Sequence, residues 1–243
     1  MGKLKVVYIL PYDWGGMPQY TAEIANAVAE NADVTVIGSK GIPIGYFSNK
    51  VKVIKSFDSL NFSMNHLGKA FSVQNLLAFF SFGKIKIIDK IDPNVVHITT
   101  PLLPPLAFYL FVNGLDRKYP IVYTKHGLHS NSGFFKKVFE EYILNVFERF
   151  VSFKKIVVHT QNDREELLAA RNLDERNVVV IPHGTYDFFT QYEKGTLAER
   201  HTVLFFGNIR EYKGLDVLLS AIPTITKRIP ELKVIIAGEG DLS

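Results

Sequence analysis

Residues 203–219, with the sequence VLFFGNIREYKGLDVLL, combine three features that decide how the chain folds. A short apolar run ends at Gly207, a polar turn carries Arg210 and Lys213, and an apolar-periodic helix begins after Gly214. A strand, a cationic loop and a helix amino end together suit the binding of phosphate. Each cation would attract a diphosphate by roughly 4 kcal/mol at 4 Å under surface-like screening, before desolvation costs. The stretch equally fits an ordinary strand-to-helix turn with a solvated Lys and Arg, and spacing alone does not separate the two.

The composition is that of a globular protein that tolerates anionic partners. Of 243 residues, 47% are apolar and 21% are charged, so the chain can bury a core of ordinary size. The net charge of +4 suits phosphorylated ligands, anionic membranes or nucleic acid without distinguishing them. No recognition-helix motif or clustered basic tract supports nucleic acid, so that partner is not expected. The absence of cysteine excludes disulfides, a thiolate nucleophile and cysteine-bound zinc.

The sequence contains no pattern that predicts secretion or membrane spanning. Its first apolar run is too short for a signal peptide and meets Asp13 at once. The longest uncharged apolar segment, residues 101–114, is too short to cross a bilayer and better suits a buried helix. We therefore expect a cytoplasmic protein, with peripheral contact at the inner face of the membrane as a further option.

Apolar runs alternate with helical patterns along the chain, which predicts an α/β fold with a doubly wound parallel sheet. Leu4 to Leu10 is almost continuously apolar, as a parallel strand covered on both faces should be. Further strands are predicted near residues 34–38, 51–54, 92–101, 120–126, 155–160, 178–184, 203–207 and 232–240. Helices are predicted near residues 67–90, 102–112, 134–150, 162–171 and 215–228, the last with a kink at Pro223. The predicted domains are residues 1–185 and 202–243, with a linker at 186–201.

Gly15 and Gly16 follow the first strand and precede a helical pattern. Paired glycines let the backbone approach a ligand closely, with the helix amino end behind them. The spacing is neither a Gly-x-Gly-x-x-Gly dinucleotide fingerprint nor a Walker A loop. A plain strand-to-helix turn remains an alternative interpretation of the two glycines.

Aromatic and basic residues are mixed along the segment from Tyr46 to Lys86. This mixture can mark a helix that lies on a membrane surface. We favour the alternative, in which the helix packs its aromatic residues onto the sheet and leaves its lysines in water.

His126 follows a predicted strand at its carboxyl end, where parallel sheets bind their ligands. Its imidazole could hold a hydroxyl group or shuttle a proton, or it could act only as a structural hydrogen-bonding group. His126 and His129 lack a third ligand nearby, so we expect no metal site.

Several motifs follow one another along the chain: Gly15-Gly16 after the first strand, TKHG at 124–127, VIPHG at 180–184, the segment 206–219, and IAGEG at 236–240. Their order resembles that of the retaining glycosyltransferases of family 4. The resemblance covers almost the whole chain and implies the GT-B fold of two facing Rossmann-like domains. The chain would then contain an acceptor-side domain and the first β-α-β of a nucleotide-sugar-binding domain.

The resemblance also implies site roles and partners. Lys213 matches the family lysine that meets the donor diphosphate, and Gly16 matches the glycine whose backbone approaches it. His126 matches the histidine beside the transferred sugar and the acceptor, so we predict it as catalytic. The family's usual arginine after the strand glycine is replaced here by Asn208, and Arg210 is the expected substitute. The implied reaction moves a sugar from a nucleotide diphosphate sugar to a glycan or lipid-linked acceptor with retention.

No cofactor or metal is expected, because cationic side chains would neutralise the diphosphate. Gly15, Gly16, Arg210, Lys213 and Gly214 are the predicted diphosphate-binding residues. The family's second domain continues beyond the IAGEG strand to a segment that holds the sugar and the ribose, so we expect truncation there. An alternative hypothesis is therefore a non-catalytic acceptor-binding or membrane-docking module that works with a separate donor-binding half.

Overall fold

The computed structural model describes residues 2–58, 73–127, 146, 148–186, 190, 195 and 198–240. The chain divides into two compact units, Met1–Gln191 and Tyr192–Ser243. The division falls within the segment 186–201 that separates the two predicted domains.

The first unit is built on a seven-stranded sheet in the order β3-β2-β1-β4-β5-β6-β7, and every neighbouring pair is parallel. The strands are β1 (Leu4–Leu10), β2 (Ala32–Ser39), β3 (Val51–Phe57), β4 (Val95–Ile98), β5 (Ile121–Thr124), β6 (Lys155–Val158) and β7 (Val178–Val180). The chain runs outward from β1 to β3, returns to β4 beside β1, and then runs outward in the opposite direction. This reversal confirms the predicted doubly wound α/β fold.

Burial on both faces of the sheet accounts for the apolar sequence of β1. Val7 and Ile9 pack into the hydrophobic cluster on one face of the sheet, whereas Tyr8 and Leu10 pack into the cluster on the other. Alternate side chains of a strand point to opposite faces, so a strand covered on both sides needs apolar residues at every position. Burial of each such large side chain stabilises the fold by about 1.5–3 kcal/mol.

The helices of the first unit are α1 (Met17–Val28), α2 (Val73–Ser81), α3 (Ile88–Ile91), α4 (Pro104–Val112), α5 (Leu115–Lys118) and α6 (Gln161–Ala170). The helix predicted over 67–90 is divided: α2 is followed by a 3₁₀ segment, Phe82–Ile87, and then by α3, while residues 67–72 lie outside the described residues. Helix α4 begins two residues later than predicted, because Pro104 and Pro105 suit a helix's first turn, where their missing N–H groups cost nothing. Most of the helix predicted at 134–150 also lies outside the described residues.

The aromatic and basic segment has two faces. Phe57 and Phe82 stack with ring centroids 4.7 Å apart and are fully buried. Ile85 and Ile88 are buried beside them, so the predicted packing of this segment onto the sheet is observed. Phe80, by contrast, is 60% exposed. The segment therefore supplies core on one side and leaves apolar surface on the other.

The second unit contains β8 (Thr202–Phe206), α7 (Leu215–Thr226) and β9 (Lys233–Ala237), with the two strands parallel. This is the predicted β-α-β unit, and α7 continues through Pro223 for three further residues. Many of its large apolar side chains are exposed, including Phe206 at 83% and Val217 at 67%. Among the described residues, no helix is long and apolar enough to cross a membrane.

Candidate functional site

At one edge of the sheet, each of five adjacent strands in the first unit is followed by glycines or by a polar residue. In sheet order, β1 is followed by Gly15 and Gly16, β4 by Thr99, β5 by His126, β6 by His159 and β7 by His183. The edge includes the point between β1 and β4 where the strand order reverses. Ligands of open α/β sheets bind at this position, outside the carboxyl ends of the strands.

Gly15 and Gly16 form the turn that leads into α1. Gly15 has φ +69°, a left-handed conformation that side chains other than glycine rarely adopt. Gly16 is the N-cap of α1 and has no side chain to cover the first free N–H groups of the helix. A Cβ atom at Gly16 would lie 3.3 Å from the hydroxyl of Tyr186. The turn therefore leaves a helix amino end open to a ligand, with little room for any side chain at residue 16.

His126 is held by contacts to three neighbouring elements. Its Nε2 lies 2.7 Å from the carbonyl oxygen of Thr99, and its Nδ1 lies 3.1 Å from Nε2 of His159. The ring of Tyr20, from the first turn of α1, packs edge-on at 4.4 Å between centroids. Burial, together with the neighbouring His159 and His183, lowers the pKa of His126 to about 4, although the hydrogen bond to Thr99 acts in the opposite direction. His126 is therefore neutral near pH 7, with a hydrogen on Nε2 that it donates to Thr99.

His159 is a site residue that the sequence analysis did not identify. It directly follows β6, and its Nδ1 lies 2.9 Å from the carbonyl oxygen of Ile181. Its ring also packs against Tyr20, with centroids 5.5 Å apart. His159 has the same placement as His126, because both histidines follow neighbouring strands at the same sheet edge.

His183, to which the sequence analysis assigned no role, lies beside His126 and His159. These three residues form the histidine cluster. Its ring centroid is 5.1 Å from that of His159 and 5.0 Å from that of Tyr20. Its Nδ1 lies 2.8 Å from the carbonyl oxygen of Gly184. Tyr186 packs edge-on against His183 at 5.4 Å and reaches toward Gly16. The segment after β7 thus connects the histidine cluster to the glycine turn.

Buried polar contacts support the cluster from within the sheet. The hydroxyls of Thr21 and Thr99 lie 2.6 Å apart and link α1 to β4. His97 Nε2 lies 2.8 Å from the hydroxyl of Thr124, at the end of β5. Burial lowers the pKa of His97 to about 4, so this ring is also neutral near pH 7.

An ionic network holds Lys125, the residue before His126, in place. Glu148, which is 4% exposed, accepts hydrogen bonds from Lys125 at 3.0 Å, from Arg171 at 2.6 Å and from the hydroxyl of Tyr123 at 2.8 Å. Burial and the Glu148 carboxylate raise the pKa of Tyr123 well above its usual value. One carboxylate therefore joins the end of β5 to the end of α6.

Arg210, Lys213 and Gly214 belong to the second unit. Arg210 is the N-cap of a short 3₁₀ turn, Glu211–Lys213, and Gly214 is the N-cap of α7 with φ +70°. Both cationic side chains are exposed, and Lys213 Nζ lies 5.2 Å from the ring centroid of Tyr212. Within the part of the chain that the structure describes, neither head group pairs with a carboxylate. The predicted strand, cationic turn and helix amino end are thus present, with two cations on the turn.

The described residues contain no group of three or more histidine, cysteine, aspartate or glutamate side chains arranged to hold a metal ion. His129, considered with His126 as a metal pair, lies outside the described residues. The histidine cluster is built instead on hydrogen bonds to backbone carbonyls and on ring contacts.

This architecture defines a class: a Rossmann-like α/β domain with a polar edge at its switch point, together with a separate parallel β-α-β unit. The chain belongs to Glycosyltransferase Family 4, whose model matches residues 14–186. A second model, Glycosyl transferases group 1, matches residues 188–243. The two matches adjoin one another between residues 186 and 188.

Comparison with curated proteins agrees with the family. The chain is 31% identical over 154 residues to a phosphatidyl-myo-inositol mannosyltransferase of Mycobacterium tuberculosis, covering 62% of this chain and 38% of that protein. It is 30% identical over 161 residues to the protein of the same name from Mycolicibacterium smegmatis, covering 64% of this chain and 39% of the relative. The chain thus spans about two fifths of the length of these relatives.

Solved structures agree with the fold. A structure of TarM from S. aureus, in complex with fondaparinux, alpha-GlcNAc-glycerol and UDP, matches with a TM-score of 0.62 at 12% identity and covers 98% of this chain and 73% of its own. A UDP-N-acetylglucosamine 2-epimerase from Rickettsia bellii matches with a TM-score of 0.58 at 14% identity and covers 98% of this chain and 62% of its own. Together with the seven-stranded sheet, these similarities confirm the predicted GT-B-like fold.

Proposed function

We propose that this chain forms part of a glycosyltransferase that moves a sugar from a nucleotide diphosphate sugar to an acceptor hydroxyl with retention. The observation that carries the proposal is the sheet edge where Gly16 opens the amino end of α1 beside His126. Family membership agrees with it, because both predicted residues lie within the matched range 14–186.

In this proposal, the glycine turn contacts the donor. The free N–H groups of α1 and its dipole favour a diphosphate near Gly16, and the missing side chain lets the backbone approach it. Such fixed donors stabilise the negative charge that the leaving nucleotide diphosphate takes away. His126 would lie beside the transferred sugar and the acceptor, as part of the histidine cluster.

We also propose that Arg210, Lys213 and Gly214, which belong to the second unit, contact the diphosphate. Two exposed cations and the amino end of α7 lie within five residues of one another. Charge-assisted hydrogen bonds from such cations contribute about 1.5–3 kcal/mol each, so they can replace a metal ion as the neutralising group.

A nucleotide-binding experiment tests the proposal. We expect calorimetry with GDP and with UDP to show saturable binding of one of them to the full chain. Lys213→Ala should weaken that binding by about 10- to 100-fold, because 1.5–3 kcal/mol of interaction is lost. Lys227→Ala is the matched control, since Lys227 is exposed at the opposite end of α7.

Equal effects of the two lysine variants would contradict the diphosphate role of Lys213. Failure of the unaltered chain to bind either nucleotide would contradict donor binding by this chain. That result would favour the alternative, an acceptor-side module that works with a separate donor-binding half.

We further propose a lipid-linked acceptor and peripheral contact with the inner face of the cytoplasmic membrane. The curated relatives are named phosphatidyl-myo-inositol mannosyltransferases, which makes a lipid-linked polyol a suitable acceptor class. Leu77 and Phe80 on α2 and Phe111 on α4 are all more than 40% exposed, and exposed apolar residues of this size can enter a membrane interface.

Sedimentation with phosphatidylcholine vesicles, with and without phosphatidylinositol, tests this contact. We expect the chain to sediment with the phosphatidylinositol vesicles and Phe80→Ser to sediment several-fold less. Phe206→Ser removes an aromatic ring that is even more exposed, from the second unit, and should leave sedimentation unchanged. Equal sedimentation of all three proteins would refute the assignment to this surface.

A further inference from the structure

Three contacts in a row connect two backbone carbonyls through two imidazole rings. His126 Nε2 lies 2.7 Å from the carbonyl oxygen of Thr99, and His159 Nδ1 lies 2.9 Å from that of Ile181. Between the rings, His126 Nδ1 and His159 Nε2 are 3.1 Å apart. All three distances are those of ordinary hydrogen bonds.

The three contacts need three hydrogens, whereas two neutral rings supply two. A carbonyl oxygen only accepts, so each outer contact needs a hydrogen on the ring nitrogen. A neutral imidazole carries one such hydrogen, and the outer contacts use both. In the neutral pair, the two inner nitrogens would then face each other with lone pairs only. One additional proton provides the missing hydrogen and gives the pair a single positive charge.

The surroundings indicate where the additional proton resides. His126 is the ring whose charged form burial disfavours, and it is held between Thr99, Tyr20 and His159. Both residues are partly exposed, and because burial disfavours the charged form of His126, the additional proton is best placed on His159. In that state His159 donates from both nitrogens, and His126 accepts at Nδ1.

The other titratable groups near the pair come from three elements. Tyr20 of α1 packs on both rings, His97 of β4 interacts electrostatically with His126, and His183 lies near both rings from the segment after β7. His97 is neutral near pH 7 because of burial, and burial also raises the pKa of the Tyr20 phenol. Tyr186, which packs against His183, has a pKa raised in the same way.

We propose that His126 and His159 act as one proton-holding unit, in which His159 is the positioning residue that fixes His126 as the Nε2–H tautomer and takes up one proton for the pair. Its significance for sugar transfer rests on the proposed function: the unit places one positive charge at the sheet edge where His126 would meet the sugar and its leaving diphosphate. The proton unit itself depends only on the geometry of the two rings.

Long-range ¹H–¹⁵N NMR of the histidine rings in the full chain, followed as the pH is lowered from alkaline to mildly acidic values, tests the proposal. We expect His126 to carry its hydrogen on Nε2 throughout, and its Nδ1 resonance to move with the same midpoint as His159. In His159→Gln, the amide can still donate to Nδ1, so His126 should keep the Nε2–H tautomer and lose that midpoint. His201→Asn is the control, because His201 pairs with Glu231 in the second unit and Asn tolerates its positive φ.

A second variant keeps the test decisive if His159→Gln does not fold. His126→Phe removes the acceptor of the His159 hydrogen, so the His159 midpoint should fall by about one pH unit, a tenfold loss of proton affinity. Separate midpoints for the two rings in the unaltered chain, or a hydrogen on His126 Nδ1, would overturn the proposal. Absence of nucleotide binding would count against the proposed function alone, because the NMR result does not depend on any ligand.

Discussion

Removal of the Glu148 carboxylate should destabilise the first unit more than the loss of any exposed ion pair. Glu148 is almost fully buried between Lys125 and Arg171, whose side chains are both only 12% exposed. Glu148→Ala removes this carboxylate from two cations that have little access to solvent. Breaking a buried ion pair in this way costs about 3–5 kcal/mol, because the remaining charge is uncompensated. For a unit of this size, the melting temperature should fall by about 6–20 °C.

Urea denaturation followed by circular dichroism would measure the free energy of unfolding. The matched control is Glu30→Ala, which removes an exposed carboxylate paired with Lys50. Exposed pairs contribute about 0–1 kcal/mol, so the control should unfold almost as the unaltered protein does. If Glu148→Ala cost no more than Glu30→Ala, the buried network would not stabilise the unit and the reasoning would fail. His159 NMR signals in the same variant would report whether the site changes with the network.

Two further predictions concern the glycine turn and the acid stability of the sheet. Gly16→Ala should fold, because φ −77° suits any residue, but its methyl group meets the Tyr186 hydroxyl and covers the open helix end. We expect nucleotide binding at least tenfold weaker by calorimetry, with Gly45→Ala, which has open space around it, as the unaffected control. His97 has a folded pKa of about 4, below its unfolded value, so its contribution to stability is complete above about pH 6.5 and is lost as the pH falls toward 4. The free energy of unfolding should therefore fall less between pH 7 and 4.5 in His97→Gln than in the unaltered chain; equal slopes would contradict this assignment.

The fold could be predicted from the sequence wherever burial requires a particular pattern of apolar residues. The predicted bounds of β1 match the structure, because both faces of the strand are covered from Val6 to Leu10 and apolar residues are needed there. The division of the helix predicted at 67–90 was not foreseen. Its apolar periodicity continues through the 3₁₀ segment Phe82–Ile87, whose Phe82 and Ile85 are needed in the core whatever the local helix type.

The candidate site could be predicted only in part from the sequence. Motif order identified Gly16 and His126, and strand position alone could have added His159. The Glu148 network could not be foreseen, because Lys125 and Glu148 are 23 residues apart and meet only when the chain folds. Exposed Lys and Glu residues are common, and nothing in the sequence marks Glu148 as a buried one.

Thr99 connects helix α1, which follows the glycine turn, to the histidine pair. Its hydroxyl contacts Thr21 of α1, and its carbonyl accepts the hydrogen bond from His126. Thr99 follows β4, the strand that lies between β1 and β5 in the sheet, so it lies between the two strands that lead to Gly16 and His126. Because Thr99 is fully buried, neither bond can be exchanged for water without cost. We therefore expect a shift of α1 to change the hydrogen bond between Thr99 and the His126 ring.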